Sequence, residues 1–180
     1  FRSAPFIALS SHGISGSAVP SDLETGLQLL YQSFVAPGDD PSQFEVMKRQ
    51  LLAAVANRGR APGQVFGEKV EQINTSNHYT SQALPAERIN GLDRPKMLGY
   101  YRQRFANAAD FTFFMVGAFK VDDVLPVLAR YVGGLPSTSP ARSDVKDVGI
   151  HFPAASVRDT VEMGREPRSS VQISFYAESS

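Results

Sequence analysis

The segment Asp110-Phe-Thr-Phe-Phe-Met-Val-Gly117 constrains this chain most. It is rich in aromatic and β-branched residues and almost continuously apolar, a pattern that suits a strand buried on both faces. It is far shorter than the roughly 20 residues needed to cross a bilayer as a helix. Such a strand needs neighbouring strands on its edges and helices on at least one face. Flanking sequence supplies the helices. Arg94–Ala106 is predicted helical, capped by Asp93, with Leu98, Tyr101 and Phe105 on its inner side. Asp122–Val132 carries Val124, Leu125, Leu128, Tyr131 and Val132, and Gly133-Gly-Leu-Pro136 stops it.

Upstream, Pro5–Ser10 reads as a short strand, Gly13 and Gly16 as part of a turn, and Ser15–Val19 as a second strand. Ser21 followed by Glu24 is a capping box, and Leu23, Leu27, Leu30 and Phe34 recur at helical spacing until Pro37-Gly38. Asp40 with Pro41 opens the next helix, whose stripe is Phe44, Met47, Leu51 and Val55. A shorter helix follows Ala61-Pro62-Gly63, with Val65, Phe66, Val70 and Ile73. Asn77-His78-Tyr79 reads as loop. Ser137–Asp147, rich in Ser, Pro and Ala, reads as a linker, and Val157–Met163 and Ser170–Tyr176 as strands.

The fold class is therefore α+β. Residues 1–136 are expected to hold strands, a helical block, a last strand and a closing helix. A linker is expected over 137–155, and 156–180 are expected to open a further unit that the chain cuts off. The start at Phe1 and the stop just after a strand-like run suggest an excised fragment.

Eighteen basic and eighteen acidic residues cancel, so no global field draws the chain to nucleic acid or an anionic membrane. The absence of cysteine removes disulfides, thiolate nucleophiles and cysteine-ligated zinc. His12, His78 and His151 have no ligand neighbour at helical spacing, so neither H-E-x-x-H nor H-x-x-E-H occurs. Gly13-Ile-Ser-Gly16 lacks the second glycine spacing of a nucleophile elbow, because position 17 is Ser17. Asp39 with Asp40 and Asp122 with Asp123 sit at helix starts, where capping and the helix dipole account for them. Asn74-Thr-Ser76 fits the N-glycosylation triplet. Tyr100, Tyr101, Arg102, Arg104 and Phe105 interleave bases with aromatics as single-strand binders do. At helical spacing, though, Tyr101 and Phe105 share one face and the arginines point elsewhere, which favours core plus solvated surface.

The order of segments resembles that of pitrilysin/insulinase-type zinc peptidases. Asp22–Tyr31 is similar to a helix that follows the middle strands of an α/β unit in that family, and Phe44–Asn57 to its next helix, ending in Asn57-Arg58 to Pro62. The fullest match is Tyr100–Gly117, a helix running into the unit's last strand. It continues through Val121–Leu125 to Tyr131-Val-Gly-Gly-Leu-Pro136, while Gly164–Phe175 resembles the opening strand of the next unit.

This resemblance implies an α/β unit with its sheet covered on one face by helices, in the non-catalytic C-terminal half of a bacterial-type zinc protease. It implies zinc in the parent protein and none in this segment, no catalytic or metal residue to assign here, and substrate-binding residues not identifiable from this stretch. The implied partners are the catalytic half of the parent chain and a peptide substrate, with no nucleic acid and no membrane span. A periplasmic or cell-envelope location is implied as well. The alternative is a structural or partner-binding subunit of the same fold without peptidase activity.

Overall fold

The computed structural model describes residues 2–138 and 146–177. Residues 139–145 of the expected linker and 178–180 of the expected opening strands lie outside the described residues. The chain divides into two compact units, one of Phe1–Pro41 and Asp93–Lys146, the other of Ser42–Leu92 and Asp147–Ser180. It is helix-rich with one small antiparallel sheet among the described residues, an α+β composition.

In the first unit, β1 (Arg2–Ile7) pairs antiparallel with β2 (His12–Ser17), from Arg2 opposite Ser17 to Ile7 opposite His12. The hairpin turns at Ala8–Ser11, where the Ala8 N–H donates to the Ser11 carbonyl at 2.7 Å. Both strands thus fall about three residues earlier than expected. The glycines explain the shift: they belong to the strand rather than the turn. A Cβ at Gly16 would lie 2.9 Å from the Arg2 carbonyl oxygen, and one at Gly13 would meet the Phe6 ring at 3.2 Å. At Gly16 the backbone leaves no room for a side chain, and at Gly13 one would make the Phe6 ring give way.

Helix α1 (Leu23–Val35) follows a 3-10 turn over Pro20–Asp22. That turn, closed by the Asp22 N–H on the Val19 carbonyl at 2.9 Å, places Asp22 rather than Ser21 at the helix threshold. The expected capping box therefore does not form. Ser21 donates instead to the Asp22 carboxylate at 3.2 Å, and Glu24 accepts from Arg130 at 3.1 Å and from the Tyr131 hydroxyl at 2.9 Å. A local capping motif has become a tertiary tie to the helix Val121–Tyr131.

The remaining helices are α2 (Pro41–Asn57), α3 (Pro62–Asn74), α4 (Ala86–Asn90), α5 (Arg94–Arg104) and α6 (Val121–Tyr131). Asp93 caps α5 as expected, accepting from the Lys96 N–H at 2.9 Å. Asp122 and Asp123 lie in the first turn of α6, where negative charge is favoured. The short α4 was not expected; it buries Ile89 to 1% exposure.

The run Phe111–Val116 joins no β-ladder among the described residues. Its first residue is tied inward, whereas Phe114 and Val116 are 88% and 98% exposed. Strand propensity alone cannot form a strand, since the ladder needs a second chain segment to take its N–H and C=O groups. Val157–Met163 and Ser170–Tyr176 are likewise outside any ladder. In the second unit these stretches are tied to α3 by Lys69 on Asp159 at 2.9 Å and by the Asn74 amide donating to the Ser174 hydroxyl at 3.1 Å.

The first unit's core centres on Phe105, which is fully buried with Phe34 and Leu135. The Phe105 ring stacks on Tyr101 at 4.4 Å and on Phe111 at 5.4 Å, and meets Phe34 edge-on at 5.4 Å. Truncating Phe105 to Ala is expected to cost about 3–5 kcal/mol in chemical denaturation. Phe114→Ala in the isolated chain should change stability by no more than about 0.5 kcal/mol.

Candidate functional site

Each histidine is committed to its own chain. His12 Nε2 lies 3.0 Å from the Arg104 carbonyl, and its ring meets Phe105 and Phe111 edge-on at 5.7 and 5.0 Å. A carbonyl only accepts, so that nitrogen carries the proton. His78 Nε2 donates to the Val148 carbonyl at 2.9 Å. Its Nδ1 caps the 3-10 turn Tyr79–Ser81 by accepting from the Thr80 N–H at 3.4 Å. His151 Nδ1 donates to the Gly149 carbonyl at 3.1 Å. His12 belongs to the first unit, His78 and His151 to the second.

Among the described residues no group of three or more His, Cys, Asp or Glu side chains could hold a metal ion. The donor set described here does not fit a zinc site, which needs three or four ligands converging on one point.

The other sequence candidates resolve into structural roles. Ser15 sits in the middle of β2 opposite Ala4, not on a strand-to-helix turn, so the elbow reading fails on geometry. Asn74 lies in the last turn of α3 with its amide already donating to Ser174, and the Thr75 hydroxyl donates to the Glu71 carbonyl at 2.8 Å. Asp39 pairs with Arg94. Tyr101 faces inward and its hydroxyl donates to the Ser33 carbonyl at 3.0 Å; burial pushes its pKa above the ordinary tyrosine value. Tyr100 faces outward, with the Arg104 guanidinium 4.9 Å above its ring.

Two carboxylates have lowered pKa values. Glu68 on α3 accepts from Arg58 at 2.8 Å and from Gln64 at 3.0 Å. The Arg58 hydrogen bond holds its carboxyl below the ordinary value near 4.5. Asp159 is lowered by Lys69 first and by the Thr160 N–H second. Both pairs join segments of the second unit.

What the described residues do offer is unpaired apolar sequence. Phe114 and Val116 in the first unit are open, and so, in the second, are Val171, Ile173 and Phe175, which alternate along the chain as one face of a strand does. No helix of the described residues is long and apolar enough to cross a membrane.

No protein-family profile matches the chain. Individual proteins do, among them two named as a zinc protease and a probable zinc protease, which bear out the resemblance to the pitrilysin/insulinase type. One is the zinc protease PQQL-like protein of Arabidopsis thaliana, 29% identical over 164 residues, which cover 86% of this chain and 17% of the relative. Another is the probable zinc protease PqqL of Escherichia coli K12, 23% identical over 158 residues, covering 88% of this chain and 17% of the relative. The chain thus spans about one-sixth of the length of each of these relatives.

The lowered Glu68 pKa gives a signed expectation for stability. A carboxylate with a depressed folded pKa stabilises above its unfolded value and loses that contribution as pH falls through the folded value. Denaturation of the chain below pH 4.5 should therefore show a steeper loss of stability than in Glu68→Gln, which has nothing to titrate. Equal slopes for the two proteins would contradict the Arg58–Glu68 assignment.

Proposed function

We propose that this chain is a non-catalytic segment of a zinc-dependent endopeptidase, where it helps the rest of its protein to enclose and bind a peptide substrate. The observation that carries this reading is the similarity of 86% and 88% of the chain to two zinc proteases of which it spans only 17% each. The exposed strand-like runs support it. Phe111–Val116 and Val171–Phe175 combine apolar side chains with backbone groups outside any ladder among the described residues, and strands elsewhere in a longer protein would satisfy both. Extended substrate could be held on the edge of the completed sheet by the same backbone pairing.

Bound zinc supplies Lewis acidity and an activated water to a peptidase. In this reading residues outside this chain hold it, and the chain contributes enclosure, which orients a flexible peptide before reaction. The same reading carries the periplasmic or cell-envelope location that the resemblance implies.

Zinc content and cleavage of a quenched fluorescent peptide, measured on the 180-residue chain and on the intact protein that carries it, test the proposal. Stoichiometric zinc and cleavage in the intact protein, with neither in the chain alone, is the expected result. Zinc or cleavage in the chain alone would overturn the non-catalytic assignment. Inertness of both would favour a structural or partner-binding subunit of the same fold.

A further inference from the structure

Helix α5 departs from how solvated helices are built. Arg94, Lys96, Arg102 and Arg104 lie on it and no carboxylate does. Exposed helix faces ordinarily mix both signs, which adds i,i+4 pairs and avoids self-repulsion. Arg94 is neutralised by Asp39. Lys96, Arg102 and Arg104 have no ion pair among the described residues. Lys96 also stands in the first turn, where the helix dipole disfavours a cation.

At 100° per residue, Lys96, Tyr100 and Arg104 fall within about 80° of the helix surface with Met97 beside them; the inward Leu98 lies opposite and the inward Tyr101 on the flank. The structure agrees: Lys96 and Arg104 are exposed, as are Met97 (42%) and Tyr100 (46%). Arg102 and Arg104 suit the negative end of the helix and the Asp93 carboxylate caps its first turn, so what stays unmatched is the outward charge of Lys96 and Arg104.

We propose that this outer stripe of α5 docks an acidic polypeptide segment, independently of the peptidase reading. The charge of the stripe suits an anionic partner, and three details favour a peptide. Arg104 already covers one face of the Tyr100 ring, which removes that face from base stacking while leaving guanidinium N–H groups to grip a carboxylate. Met97 and Tyr100 are the exposed large apolar side chains of the helix, too little apolar surface for insertion among lipids. Lys96 and Arg104 are separated by eight residues, about 12 Å along a helix axis. An extended segment crosses that distance in about four residues, which puts carboxylates at positions i and i+4 on the same side of the strand.

The test is fluorescence anisotropy of the intact protein with a labelled peptide of alternating Glu and Ala, against a Gln-for-Glu control peptide. Salt-sensitive binding of the Glu peptide is expected. The double variant Lys96→Gln/Arg104→Gln should bind about tenfold more weakly, about 1.4 kcal/mol, as the loss of two solvent-exposed ion pairs gives. Arg130→Gln, outside the stripe, should leave affinity unchanged. Circular dichroism of the double variant should match the parent, because both residues are exposed. Equal binding of the Gln peptide, equal affinity in the double variant, or no binding would each overturn the proposal. So would preferential binding to phosphatidylserine vesicles or to single-stranded oligonucleotide.

Discussion

Burial of the Phe105 ring organises the first unit. Phe105 follows the last residue of α5, so its position depends on where that helix stops, and it touches elements from the rest of the unit. Tyr101 comes from the preceding helical turn, Phe34 from α1, and Phe111 from the segment just beyond the 3-10 turn Ala108–Asp110. His12 closes the cluster from β2 and donates to the carbonyl of Arg104, a group that α5 itself leaves without a partner at its C-terminal end. Large aromatic surfaces in edge and offset contact give both hydrophobic area and geometric specificity. The hairpin and α1 are thus arranged around one side chain.

The same cluster shows where this fold is left open. Phe111 is held by it, but the residues that follow leave the core almost at once, and Phe114 and Val116 face outward. An apolar run fixed at one end and bare at the other is what a sheet strand looks like without its neighbours. The relatives are each about six times the length covered by this chain.

Helices were legible in the sequence because their signals are local. Pro41, Pro62 and Asp93 mark helix starts, and stripes such as Phe44–Met47–Leu51–Val55 need only one segment to be read. Strands were not, because pairing is a property of two segments. The hairpin was displaced by glycines that serve close approach rather than turning, and Phe111–Val116 has every strand preference but no ladder. Ser21 and Glu24 fit a capping box in sequence; the 3-10 turn before α1 shifted the frame by one residue and gave Glu24 to Arg130 and Tyr131. For the candidate site, the sequence could not show that each histidine meets a backbone carbonyl, because those partners come from segments brought together only by folding. The absence of carboxylates from α5 was also visible in sequence, yet only the exposures of Met97 and Tyr100 give that stripe a shape.

Hydrogen exchange over Phe111–Val116 and Val171–Phe175 tests the central claim most directly, that these runs are strands completed by the rest of a larger protein. The account predicts rapid exchange of these amides in the isolated chain and strong protection in the intact protein. Rapid exchange in both would contradict it.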